Sequence, residues 1–283
     1  MKQGERIRIG KINYTNVWPI YYHFPHDRFA GTVEWIETVP TGLNRAMRNG
    51  EIDMGAFSSF EYGVSFGLYE LFPDLSVSAF GKVHSILLFH KKPLEKIAFG
   101  RIALTTASAT SVNLLKIMMS KFYGGQPDYE YTAPSLEEMM KHRDAALLIG
   151  DDAIRASWTD HPFEVTDLGE LWHRHTGHWM TFAVWAVRKE TVRRHPERVA
   201  AIYAAFVESK RLSRENPEPI IREAQAKIGG TYDYWRNYFL NLSHDLAEPQ
   251  REGLRLYYRY AHELGLLSRE VPLQLWTDHT TVR

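Results

Sequence analysis

The stretch "ALTTASATSVNLLK", residues 103–116, crowds Thr105, Thr106, Ser108, Thr110 and Ser111 into a junction that reads as a strand handing over to a helix. Hydroxyls at a helix N-terminus sit beside free backbone N–H groups and a partial positive charge, so the junction suits a carboxylate or a phosphate. One N-cap uses one hydroxyl. Thr110 and Ser111 are therefore the residues left over for a ligand, although the Gly and Lys spacing of a phosphate-binding loop is missing. Two further junctions repeat the pattern of apolar strand, small polar residues and helix: "AFSSFEY", with Ser58 and Ser59, and "LIGDDAIRA", with Asp151. Ser58 and Glu61 also have the spacing of a capping box, so that junction has an ordinary structural reading as well.

Single residues add to these junctions. Asn16 follows the first strand in "NYTNVWPI", where its amide could serve a ligand or simply form a turn. His84 and Ser85 lie in an extended segment. His173, His175 and His178 in "WHRHTGHW" lack any specific metal-ligand spacing, and no metal is expected. Trp172, Trp179 and Trp185 read as core and cleft wall rather than as a platform for bases.

The elements that must carry these residues follow from periodicity. "RIRIGKINY", "VEWIETV" and "DMGAFSS" are strands, with a helix between the last two marked by Leu43, Ala46 and Met47 and stopped at Gly50. The alternation restarts at residue 97 with "IAFGRIALTT". A helix follows along Val112, Leu115, Met119 and Phe122, then "DYEYTA", a capping box at Ser135 and Glu138, and "AALLIGDDAI". Helical patterns take over after about residue 190. Two long extended segments, near 82–92 and 179–189, read as crossovers between two α/β lobes. The predicted organisation is lobe I from 1–88 and 186–283, lobe II from 89–185, and a ligand cleft between them, with a hinge near both crossovers.

Composition narrows the function. The 283 residues hold 34 Lys plus Arg against 34 Asp plus Glu, which gives no global field toward nucleic acid or an anionic membrane. There is no cysteine, hence no disulfide, thiolate nucleophile or cysteine-held metal. Neither a signal peptide nor a transmembrane run is read, and a cytoplasmic protein is expected.

Taken together, "INYTNVWPI", "AFSSFEY", "HSILLF", "LTTASATSVNLL", "LLIGDDAI" and "DLGELWHRHTGHWMTFAVW" resemble the chorismate dehydratase family of the futalosine route to menaquinone. The resemblance implies a two-lobed type II periplasmic-binding-protein-like fold with a helical C-terminal region. It also implies a lyase that turns chorismate, a small dicarboxylate, into 3-[(1-carboxyvinyl)oxy]benzoate by loss of water, without a cofactor. By the same resemblance Asn16, Ser85, Thr110 and Ser111 contact substrate, and Ser58, Ser59 and Asp151 stand near the cleft. His84 departs from the family, where a smaller residue is expected. No residue is identified as the base, and a substrate carboxylate could take the proton. A small-anion binding module and the related 1,4-dihydroxy-6-naphthoate synthase are the alternatives, and a homodimer is left open.

Overall fold

The computed structural model describes residues 6–38, 40–278 and 280. Its strands, in chain order, are β1 (Ile7–Lys11), β2 (Val33–Glu37), β3 (Met54–Ser58), β4 (Tyr69–Ala79), β5 (Ile86–His90), β6 (Arg101–Thr105), β7 (Asp128–Thr132), β8 (Ala145–Ile149), β9 (Glu164–Asp167), β10 (Met180–Arg188) and β11 (Leu242–Ser243). They form two sheets, one ordered β11-β4-β10-β3-β1-β2 and the other β7-β6-β8-β5-β9. Every residue of β3 and of β8 is buried. A strand covered on both faces reads as an unbroken apolar run, which is why "AALLI" shows no alternation.

Each sheet has a parallel core, β2-β1-β3 and β7-β6-β8, flanked by antiparallel strands. The carboxyl ends of β1, β3, β6 and β8 consequently carry the loops rich in Ser, Thr and Asp, where open α/β sheets place ligands. Glycine is required where β1 meets β3: Gly55 has φ +148°, and a Cβ there would lie 2.4 Å from the Gly10 carbonyl oxygen.

The chain leaves the first sheet after Ala79, enters the second at Ile86, and returns through the helix Leu168–Thr176. β10 pairs with β3 and β4 along its length, with Trp185 opposite Ala56, so it belongs to the first sheet from Met180 onward. The segment 179–189, expected as a crossover, is therefore mostly a central strand, and the linking residues are 80–85 and 168–179. Sequence does not separate a buried strand from an extended linker, since both are apolar and β-branched. Boundaries read at 88/89 and 185/186 fall inside β5 and β10. The box at Ser135 and Glu138 precedes a helix, Leu136–Met140, yet Ser135 makes no side-chain capping bond.

One hydrophobic core runs through both lobes and includes Val83, Leu168, Leu171 and Trp172 of the crossovers. The linkers are thus packed, not loose. The helices Tyr232–Asn241 and Glu248–Glu263 bring Trp235, Tyr238, Tyr257 and Tyr258 into the same core.

Candidate active site

Two groups of hydrogen bonds join the lobes at the strand ends. In the first, Ser58 closes β3 and caps the helix Ser59–Ser65, its Oγ accepting from Glu61 N at 3.3 Å. The same Oγ lies 2.9 Å from Thr110 Oγ1, at the start of the helix Ala109–Tyr123 in the other lobe. Phe60 N donates to Thr110 Oγ1 as well, at 3.1 Å. Only half of the capping box forms: Ser58 caps the helix, but Glu61 is held by Arg48 and Ser58 N donates to Asn44 Oδ1 at 3.3 Å, while the Ser58 hydroxyl also reaches across the cleft.

The hydroxyl-rich junction resolves residue by residue. Ser108 is the cap, accepting from Ser111 N at 3.0 Å and donating to Ser111 Oγ at 3.0 Å. Thr105 Oγ1 accepts from Ala107 N at 3.1 Å, Thr106 faces solvent, and Thr110 bridges to Ser58. Thr110 and Ser111 are both buried at the N-terminus of a four-turn helix. Beside them, Thr41 of the first lobe faces Thr105, Thr106 and Ser108 across a groove of about 280 Å³.

In the second group, Thr15 donates to Asp151 Oδ1 from its hydroxyl at 2.6 Å and from its N–H at 3.3 Å. Asp151 sits in the first turn of the helix Gly150–Trp158. Burial pushes its carboxyl above the ordinary range, and the Thr15 bonds oppose that shift. Gly150 opens this helix with φ +60°, a Cβ there would meet the Tyr14 ring at 3.1 Å, and its N–H donates to Ser85 O at 2.7 Å. Ser85 Oγ donates to Val83 O at 3.3 Å and accepts from the buried Tyr238 hydroxyl at 3.2 Å.

Asn16 and Ser59 complete the set. Asn16 Oδ1 and Ser59 Oγ are buried polar atoms without a hydrogen-bond partner, the kind of group that a bound molecule satisfies. The Asn16 carbonyl accepts from His244 Nε2 at 2.8 Å. Burial lowers the His244 pKa to about 4, so the ring is neutral near pH 7. Ser59 O accepts from Tyr258 OH at 2.7 Å, and Thr110 O from Tyr257 OH at 3.1 Å.

Asn16, Ser58, Ser59, Ser85, Thr110, Ser111 and Asp151 all lie at these lobe junctions. The neighbouring titratable groups are engaged elsewhere: Glu61 takes a two-point contact from Arg48 at 2.8 Å, and His84 Nε2 meets Asn241 Nδ2 at 3.2 Å. His173 packs on Phe80 at 4.0 Å and His175 on Phe122 at 4.4 Å, so these rings serve aromatic contacts. Trp172 and Trp185 are core residues. Sequence reasoning missed Thr15, Tyr238, Tyr257, Tyr258 and His244. Thr15 alone had a local signal, as the neighbour of Asn16.

The pattern of a protein family described as menaquinone biosynthesis matches residues 7–263. The chain belongs to that family. It is 36% identical over 276 residues, 91% of this chain and 95% of the other, to a chorismate dehydratase of Thermus thermophilus. Among solved structures it resembles an Archaeoglobus fulgidus protein with TM-score 0.73 and 18% identity, covering 92% of this chain and 98% of that one. The periplasmic aliphatic sulphonate binding protein of Escherichia coli matches with TM-score 0.69 and 15% identity over 97% and 93%. A Xanthomonas axonopodis alkanesulfonate-binding protein, solved with MOPS, matches with TM-score 0.70 and 14% identity over 98% and 99%. At those identities the solved structures speak to the fold, which is that of the periplasmic binding proteins. No helix among the described residues is long and apolar enough to cross a membrane.

Proposed function

We propose that this protein is a hydro-lyase that converts chorismate into 3-[(1-carboxyvinyl)oxy]benzoate and water in menaquinone biosynthesis. The observation that carries the reading is the 36% identity to a chorismate dehydratase across 91% of the chain. The chemistry of the site supports it: hydroxyls, an amide and helix N-termini converge between the lobes, which suits a dicarboxylate. A reaction on a soluble intermediate is assigned to the cytoplasm.

The reaction removes a proton from the ether-bearing ring carbon and hydroxide from the adjacent carbon. That proton is acidic because charge left behind delocalises through the ring double bond into the ring carboxylate. We assign the ring carboxylate to the N-terminus of Ala109–Tyr123, with Thr110 and Ser111 as donors. Donors fixed there before reaction stabilise the enolate-like charge as it grows. Asn16, Ser59 and Ser85 hold the rest of the substrate, and Ser58 orients Thr110.

Proton traffic follows from which groups are spare. Glu61 and His84 are occupied by Arg48 and Asn241, so the base is assigned to the substrate's side-chain carboxylate, held against the ring. Asp151 is the one carboxyl among the assembled residues, and burial makes it hold its proton more tightly. A dicarboxylate beside it adds to that effect. We assign it to protonate the departing hydroxyl, so that the carbon's proton passes to the substrate carboxylate, the Asp151 proton leaves with the hydroxide as water, the ring becomes aromatic, and the product's carboxyl gives its proton back to Asp151. No electron is lost or gained, and no redox partner is called for.

The test is incubation of purified protein with chorismate, following absorbance and mass. Loss of one water with a new aromatic absorbance supports the lyase. Chorismate that stays unchanged over folded protein removes it and leaves a small-anion binding module.

A further inference from the structure

The segment "DLGELWHRHTGHW" takes no part in the site, yet its first residue organises the hinge. Asp167 ends β9 and caps the helix Leu168–Thr176, accepting from Gly169 N at 2.9 Å and Glu170 N at 3.1 Å. The same carboxylate reaches the other crossover, where it accepts from Val83 N at 3.1 Å and His84 N at 2.7 Å. The two crossovers touch closely, since a Cβ on Gly169 would lie 2.6 Å from Gly81 O. One buried carboxylate therefore ties the outgoing and returning chains together.

His84 is held in an unusual conformation. Its φ is +62°, and among the described residues it is the non-glycine residue with positive φ. L side chains visit that region sparingly, with Asn, Asp and His more tolerant than most and β-branched residues least. The turn separates two neighbours: His84 points to Asn241, while Ser85 points to Tyr238 and its carbonyl receives the Gly150 N–H. An extended residue at 84 would rotate Ser85 away from both partners.

We propose that Asp167 and His84 are positioning residues for Ser85: the Asp167 carboxylate holds Val83 and His84 in the left-handed turn that aims Ser85 at the substrate. The inference rests on the assignment of Ser85 to the substrate site made above. It makes the backbone conformation of residue 84 decisive and its imidazole dispensable. The Asp167 oxygens accept from four backbone N–H groups, those of Val83, His84, Gly169 and Glu170.

Four variants and a double-mutant background test it. His84→Gly and His84→Asn accept the left-handed turn and are expected to keep kcat/KM for chorismate within about threefold of wild type, whereas His84→Val loses about tenfold or more, mostly in kcat. Asp167→Asn, which keeps one oxygen but no charge, is expected to fall between them. In a Ser85→Ala background, His84→Val costs no further activity, because the step it disturbs is already gone. An equal loss in both backgrounds overturns the proposal, as does His84→Asn proving as inactive as His84→Val. Wild-type protein that leaves chorismate unchanged defeats the lyase reading instead, and the clamp is then read by amide hydrogen exchange. Faster exchange at residues 83–85 in Asp167→Asn, with protection kept in His84→Gly, supports it; unchanged exchange in Asp167→Asn overturns it.

Discussion

Replacing Asp151 separates what the interlobe contact does for folding from what the carboxyl does in the reaction. Thr15 is 0% exposed and Asp151 6% exposed, and two donors of Thr15 converge on one oxygen. A hydrogen bond to a charged group contributes about 1.5–3 kcal/mol, and a buried donor left without a partner costs about 1–3 kcal/mol. Asp151→Ala strands both donors, so a loss of about 3 kcal/mol is expected. For a chain of this size that lowers Tm by roughly 6–12 °C. Asp151→Asn keeps an oxygen acceptor and discards the charge that burial opposes, and should unfold within about 1 kcal/mol of wild type near pH 7.

The pH dependence has a definite sign. The Asp151 pKa is raised from 3.8 in the folded state, so the native protein binds this proton more tightly than the unfolded chain. Its stabilising contribution is complete below about pH 3.9 and is lost as pH rises through the raised value. Asp151→Asn should therefore gain on wild type as pH rises across that window, read by urea unfolding at pH values spanning it. Its kcat should nevertheless fall about 100-fold or more, the usual weight of a general acid. A stable Asp151→Ala would refute the contact's role in folding, and full activity in Asp151→Asn would refute the acid.

Gly150→Ala forces φ +60° on a residue with a Cβ at 3.1 Å from the Tyr14 ring, so a loss of about 1–2 kcal/mol and a raised KM for chorismate are expected by thermal unfolding and initial rates. Thr110→Val keeps the shape and removes the hydroxyl bound to Ser58 and Phe60 N; kcat should fall about tenfold or more, and an unchanged kcat removes Thr110 from its role as donor to the growing charge. Glu61→Gln should keep kcat within a few-fold, since Glu61 is committed to Arg48, whereas abolished turnover with intact substrate affinity would make it the base. His244, whose pKa burial lowers from 6.5 to about 4, contributes stability above the unfolded value that is lost as pH falls through about 4. That amounts to about 3 kcal/mol, and His244→Gln should flatten this part of the unfolding profile.

The junctions were legible because their signals are local. The junctions "AFSSFEY", "LTTASATSVNLL" and "LIGDDAIRA" are read from patterns a few residues long, and each lies where a strand hands over to a helix. What was not legible is the partner across the cleft. Thr15 and Asp151 are 136 residues apart, Tyr238 and Ser85 153, and Tyr257 and Thr110 147. Those pairings follow from topology, and periodicity carries no information about them. Tyr238, Tyr257 and Tyr258 lie in the core, and their hydroxyls extend to Ser85, Thr110 and Ser59 at the strand ends. The same limit misplaced the second crossover, because "WMTFAVWAVRK" is as apolar as a linker buried in a hinge would be.

The makeup of the cleft bears on why a dehydratase would have it. Asn16, Ser58, Ser59, Ser85, Thr110, Ser111 and Asp151 include no lysine or arginine, and Arg155, one turn beyond Asp151, is 3.7 Å from Asp152. Full positive charges would bind substrate and product alike, since both carry two carboxylates, and such uniform binding lowers KM without raising kcat. Neutral donors and helix N-termini act differently: their hydrogen bonds strengthen as charge gathers on the ring carboxylate and relax when aromatisation returns it. A site of this kind favours the enolate over both ground states. The stiffness it needs comes from outside, through the Tyr238, Tyr257 and Tyr258 hydroxyls, the His244 contact to Asn16, and the Asp167 carboxylate that joins the two crossovers.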